Sequence, residues 1–192
     1  YTRPKIMHGL ESIMDDIVRP AVDGLANEKR LYKGVLYAGL MISNGQPYVL
    51  EFNARYGDPE TQPVMRLLES SLIDISFACV GGTLHSVTPK WSNDEAVCVV
   101  LATQGYPGDY QQNTGKPVFI SDLPDYAVVF HAGTGYENGG LANTGGRVLG
   151  VTASGKDLRE ALDRAYSFIG TKISFEGMHF RKDIGYRSLH RA

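Results

Sequence analysis

Glu51-Phe52-Asn53-Ala54-Arg55-Tyr56-Gly57-Asp58-Pro59-Glu60-Thr61-Gln62 follows a run of strand formers, Pro47-Tyr48-Val49-Leu50, and leads into a helical pattern. Successive side chains of a strand point to opposite faces. That spacing sets Glu51, Asn53 and Arg55 on one face and Leu50, Phe52 and Ala54 on the other. The second face is apolar and suited to packing. The first presents a carboxylate, an amide oxygen and a guanidinium in a row. This is an oxygen pair for a hard cation with a phosphate-binding cation beside it. An alternating charged face is also what a solvated sheet shows, and periodicity alone favours that simpler reading. The chemical reading would suit a nucleotide–magnesium site at the end of a sheet.

Working outward, Tyr32 to Ser43 reads as a strand, and Asn44-Gly45 is a hairpin signal that returns the chain along 47–55. Upstream, Met7, Leu10, Met14, Ile17, Val18, Ala21 and Leu25 mark one face of a helix over 5–28, with Pro20 predicting a kink or break after Arg19. Downstream, Asp58 suits a cap, Pro59 the first helical position and Glu60 the positive end of the helix dipole. Val64, Leu67, Leu68, Leu72, Ile75 and Cys79 predict the buried stripe of one helix, which Gly81-Gly82 stops. Residues 83–95 form a polar connector, and the domain boundary is placed there. Beyond it come short strands at Ala96–Ala102, Val118–Ile120, Ala127–His131 and Arg147–Thr152, then an amphipathic helix from Lys156 to Ile173. A strand at Phe175–Phe180 and a terminal helical turn close the chain. The pattern is α+β, divided into residues 1–85 and 95–192.

With 192 residues and 43% hydrophobic content the chain can bury a sizeable core. A net charge of -2 argues against a general nucleic-acid or membrane binder. No apolar run approaches a membrane span, and no secretory signal opens the chain. Cys79 and Cys98 have no paired spacing and read as free thiols of a reducing cytoplasm. The histidines show no zinc-like spacing, and no serine or cysteine nucleophile pattern is present.

The string from Glu51 resembles the magnesium-binding strand of ATP-grasp ligases, specifically the glycinamide ribonucleotide synthetase (phosphoribosylamine–glycine ligase) family. Further blocks follow in the family's order: Gly105-Tyr106-Pro107-Gly108-Asp109-Tyr110, Val129-Phe130-His131-Ala132-Gly133-Thr134, Gly145-Gly146-Arg147-Val148-Leu149 and Phe180-Arg181-Lys182-Asp183-Ile184-Gly185-Tyr186-Arg187. An isolated E-x-N is weak; these collinear blocks are specific, and they cover nearly all of residues 30–190. The resemblance implies the second half of an ATP-grasp domain, a hairpin and sheet with helices, followed by a small α+β carboxy-terminal domain. It begins partway through the family's architecture. The amino-terminal substrate domain, the glycine-rich lid and the adenine-binding hinge are expected in the rest of the same enzyme, amino-terminal to this chain. The isolated chain is accordingly expected not to complete ligation.

The family joins glycine to 5-phosphoribosylamine with ATP, in de novo purine biosynthesis in the cytoplasm. Its implied cofactor is Mg2+ or Mn2+, held by Glu51 and Asn53 with nucleotide phosphates. Arg55 is implied at a phosphate oxygen or the developing acyl phosphate; its simpler role is an ion pair with Glu51. Asp58 is a helix-start residue or a partner for the ammonium of glycine. His131 ends a strand and opens a glycine-rich loop in which Gly133, Thr134 and Gly135 could offer backbone donors to an anion, although such a histidine is more often structural. Arg147, Arg181 and Lys182 are candidates for the phosphate of phosphoribosylamine, and a solvated pair of charges is an equally good reading of Arg181-Lys182.

Two rival readings stay open. One is another ATP-grasp carboxylate ligase, such as a carboxyaminoimidazole ribonucleotide synthase or a biotin carboxylase, which the later blocks fit poorly. The other is a non-catalytic binding or scaffold module.

Overall fold

Asn44 and Gly45 both adopt the left-handed conformation (φ 51° and 77°) that a two-residue hairpin turn demands. The computed structural model, which describes residues 9–190, closes this hairpin between β1, Tyr37–Ser43, and β2, Gln46–Asn53. Gly39 faces Glu51 while Leu40 faces Val49, so Leu50 is the extra residue of a bulge. Both strands are shorter than expected. β1 starts at Tyr37 because Gly34 turns with φ 150° and the Tyr32 hydroxyl donates back to Val35 O. β2 ends at Asn53, so Arg55 lies beyond the strand.

The hairpin belongs to a unit made of residues 9–58 and 70–90. Its amino-terminal helix is not continuous. α1, Gly9–Ile13, passes through a π-helical stretch, Met14–Val18, into α2, Arg19–Asn27, whose first turn holds Pro20. Proline has no N–H to give the preceding turn, and the ladder widens so that Arg19 N reaches Met14 O. The irregularity thus precedes Arg19 rather than following it, and residues 5–8 of the expected helix lie outside the described residues. Among the described residues of this unit, Ile13 alone is a buried hydrophobic.

The second unit comprises residues 59–69 and 91–190 and contains the hydrophobic core. The expected single helix over 58–81 is two. α3, Thr61–Leu67, ends because Leu67 O accepts from Ser92 N and Leu68 bridges to Trp91. α4, Leu72–Gly81, restarts from Ser71, whose hydroxyl accepts from Asp74 N, and ends on left-handed Gly82. The stripe expected to be buried is half-buried throughout. α3 packs with the second unit, on β3 and β8, although the polar connector had suggested a boundary only at 83–95.

In that unit β3, Glu95–Ala102, runs into β4, Val118–Ile120; β5, Ala127–His131; β6, Thr134–Glu137; β7, Gly140–Asn143; and β8, Arg147–Gly155. The principal sheet is antiparallel, ordered β3-β8-β5. From Val148 to Gly155 every residue of central β8 is buried, which explains its unbroken run of small and apolar side chains. α5, Leu158–Phe168, packs across β3 and β8 through Leu158, Ala161, Leu162, Ala165 and Phe168. Asp157 caps it by accepting from Glu160 N at 2.8 Å. The helix was expected to reach Ile173, but left-handed Gly170 (φ 82°) turns the chain out, and Ile173 instead opens β9, Ile173–Phe175, paired with β4. The last strand therefore lies earlier than the expected 175–180. α6, Tyr186–Leu189, is the terminal helical turn. The β6–β7 hairpin was not foreseen, although Asn138-Gly139, both with positive φ, repeats the signal that located Asn44-Gly45.

Candidate functional site

At the end of β2, Asn53 Nδ2 donates to Glu51 Oε1 at 2.9 Å, so the strand alternation does bring these two side chains together. A Cβ on Gly39, across the ladder, would come within 2.9 Å of Glu51 Cγ. Glycine there leaves room for the Glu51 stem. The pair presents Glu51 Oε2 and Asn53 Oδ1 as the oxygens outside their mutual hydrogen bond. Among the described residues no three His, Cys, Asp or Glu side chains gather to hold a metal. A cation here would rest on a carboxylate and an amide oxygen, and a phosphate-bound Mg2+ needs few protein ligands. The donor set fits that ion.

Arg55 does not extend the row. Past the strand, its Nη1 donates to Tyr56 O at 2.8 Å, and it makes neither the expected common face nor the simpler ion pair with Glu51. Asp58 is exposed in a turn, two residues before Glu60, the residue that occupies the α3 cap position. Glu60 already has helical φ and ψ, and its side chain makes no capping bond. The apolar side of β2 was expected to pack; Leu50 and Phe52 are instead 64% and 44% exposed.

In the core-bearing unit, three family blocks converge on one end of the principal sheet, where β3 and β5 end and β8 begins. His131 closes β5, with its Nδ1 3.0 Å from Thr134 Oγ1. His131 and Thr134 line a cavity of about 490 Å³ with Tyr136 and Leu141. Two of the loop's backbone donors are committed internally. Gly133 N donates to Arg147 O at 2.8 Å and Thr134 N to Ala132 O at 2.9 Å. The expected use of these two N–H groups on an anion is therefore corrected: they hold the turn. Arg147 begins β8, exposed, directly after Gly145-Gly146.

Arg181 and Lys182 are exposed too. Arg181 makes a two-pronged contact with Asp183, Nε to Oδ1 at 2.9 Å and Nη2 to Oδ2 at 2.7 Å. The carboxylate raises the guanidinium's pKa, and the guanidinium holds the Asp183 carboxyl below the usual carboxylate range. This arrangement favours the reading of Arg181 as a paired surface charge. The pair borders a cleft of about 520 Å³ that Glu60, Tyr186 and Arg187 also line. The Tyr166 hydroxyl donates to Arg181 O and accepts from Ile184 N, and burial pushes its pKa up.

Residues 96–187 match the phosphoribosylglycinamide synthetase C domain, and residues 4–61 match the ATP-grasp (A) domain of the same synthetase. The chain belongs to the phosphoribosylglycinamide synthetase family. It is 43% identical over 183 residues to phosphoribosylamine–glycine ligase of Agrobacterium fabrum, covering 95% of this chain and 43% of that protein. The chloroplastic ligase of Arabidopsis thaliana is 46% identical over 188 residues, covering 93% of this chain and 34% of the relative. A solved phosphoribosylamine–glycine ligase from Thermotoga maritima superposes with a TM-score of 0.78 at 33% identity, over 95% of this chain and 44% of that one. The chain thus spans less than half the length of these relatives. A biotin carboxylase domain from Hydrogenobacter thermophilus shares the fold at a TM-score of 0.59 and 13% identity, over 83% of this chain and 37% of that one. The fold is α+β and its neighbours are ATP-grasp proteins. Among the described residues no helix is long and apolar enough to cross a membrane.

Sequence reasoning missed Thr103 and Asn143, two fully buried polar residues. Each ends or follows a short strand, and only their neighbours across the fold reveal why they are polar.

Proposed function

We propose that this chain supplies the metal-holding hairpin and the carboxy-terminal domain of an ATP-dependent phosphoribosylamine–glycine ligase. The observation that carries the reading is the Glu51–Asn53 oxygen pair at the end of β2, within and beside stretches that match both domains of the family. In the proposed reaction a glycine carboxylate oxygen attacks the γ-phosphorus of ATP, and ADP leaves. The amine of phosphoribosylamine then attacks the acyl carbon of glycyl phosphate, an amide bond forms, and phosphate departs with the C–O bond electrons.

Two anions must approach each other in the first step, which costs energy without intervening positive charge. Mg2+ or Mn2+, when bound, supplies that charge and polarises the phosphate oxygens. Glu51 and Asn53 would hold it. Arg55 lies two residues further on and could swing from the Tyr56 carbonyl to a phosphate oxygen. Asp58, exposed in the next turn, suits the ammonium of glycine. The amino-terminal remainder of the enzyme would enclose the adenine and exclude water, and the enzyme would work in the cytoplasm.

Arg147 is our candidate for the phosphate of phosphoribosylamine. In the full-length ligase Arg147→Ala should raise KM for phosphoribosylamine about ten- to hundredfold, the worth of one charge-assisted contact. The KM values for ATP and glycine should stay within about twofold. Arg181→Ala is the comparison, since Asp183 already occupies that guanidinium. Equal impairment of all three substrates by Arg147→Ala would make Arg147 structural and remove it from the site.

A further inference from the structure

Thr103 and Asn143 are polar side chains with no solvent exposure. Buried polar groups destabilise a fold unless they are hydrogen-bonded, and here the bonds tie the Gly145-Gly146 turn, through Thr103 and Asn143, to the loop at 113–116. Asn143 Oδ1 accepts from Lys116 N at 2.7 Å. Its Nδ2 donates to Asn113 O at 3.0 Å and to Thr103 Oγ1 at 2.9 Å. Thr103 Oγ1 in turn donates to Gly145 O at 2.7 Å, and Thr103 N donates to Gly146 O at 2.8 Å. The following residue is Arg147, whose own carbonyl accepts from Gly133 N. The chain Asn143 → Thr103 → Gly145 is a relay of donors that polarise one another in a site closed to water.

We propose that Thr103 and Asn143 are positioning residues that hold the Gly145-Gly146-Arg147 turn in the conformation that receives phosphoribosylamine. The inference rests on the ligase reading above. A two-glycine turn has many accessible conformations, and Arg147 is a long, rotamer-rich side chain. Fixing the carbonyls of Gly145 and Gly146 removes most of that freedom before substrate arrives. Thr103 acts through the turn and need not touch substrate. Its side chain is required as a donor to Gly145 O and an acceptor from Asn143. Serine can do both; valine, of equal size, can do neither; cysteine does both weakly.

The test is a donor series at position 103 in the full-length ligase, read by steady-state kinetics and by thermal melting. The KM for phosphoribosylamine should climb in the order Thr, Ser, Cys, Val, with Thr103→Ser within about twofold of the parent and Thr103→Val about tenfold above it. The KM values for ATP and glycine should hold. Adding Thr103→Val to Arg147→Ala should raise KM no further, because the first change acts through the residue already removed. If Arg147→Ala is silent while the position 103 series still ranks, the phosphate assignment falls and the positioning role stands, served by the turn's backbone. If Arg147→Ala raises KM and the series is flat, the positioning role is overturned. A melting temperature that falls along the series while all three KM values move together also overturns it, leaving a purely structural network. Should Thr103→Val be unfolded at the assay temperature, the Ser–Cys difference decides.

Discussion

Glu51→Gln in the full-length ligase should lower turnover by roughly a hundredfold or more at low magnesium, about 3 kcal/mol of lost stabilisation of developing phosphoryl charge. The substitution keeps the shape of the side chain and its contact with Asn53, where Nδ2 donates to Oε1. It removes the negative charge, and with it most of the attraction for a dication. Raising magnesium should recover part of the loss, because the defect is in occupancy. Asn53→Ala should act in the same direction but less, since a neutral amide oxygen contributes less than a carboxylate. Both variants should melt like the parent, because Glu51 is exposed and Asn53 only half-buried. Parent-like turnover of Glu51→Gln at limiting magnesium would remove Glu51 from the ligand set.

Gly133→Ala should destabilise the core-bearing unit by about 3 kcal/mol, lowering its melting temperature by roughly 10–20 °C. A Cβ there would lie 2.6 Å from Gly145 Cα and 2.7 Å from Arg147 O. Both are backbone atoms, so no rotamer change relieves the contact. The two strand-end loops must separate, and the Gly133 N to Arg147 O and Thr144 N to Gly133 O bonds are lost with them. Gly140→Ala is the matched comparison: its added Cβ meets nothing within 4 Å, and it should melt like the parent. A melting temperature for Gly133→Ala within about 2 °C of the parent would show that the loops separate freely, against the packing described.

Much of this was legible in the chain itself. The turn at Asn44-Gly45, the end of α4 at Gly82, the strands Val118–Ile120 and Ala127–His131, and the Glu51–Asn53 juxtaposition follow from local chemistry. Turn type depends on which residues tolerate positive φ, and side-chain facing depends on the two-residue repeat, and both are properties of a few adjacent residues. The family blocks carried the fold class for the same reason: they are contiguous strings.

Tertiary structure decided what depends on distant partners. One apolar stripe became α3 and α4 because Trp91 and Ser92 compete for the backbone at Leu67 and Leu68. The Gly133 donor looked available until Arg147, from the start of another strand, took it. Thr103 and Asn143 were unremarkable in sequence, forty residues apart, and are directly bonded at the centre of the loop cluster. A hydrogen-bonding group in a sequence announces only its capacity. Which partner satisfies it is settled by burial, which removes water as the alternative and leaves the few groups the fold brings within reach.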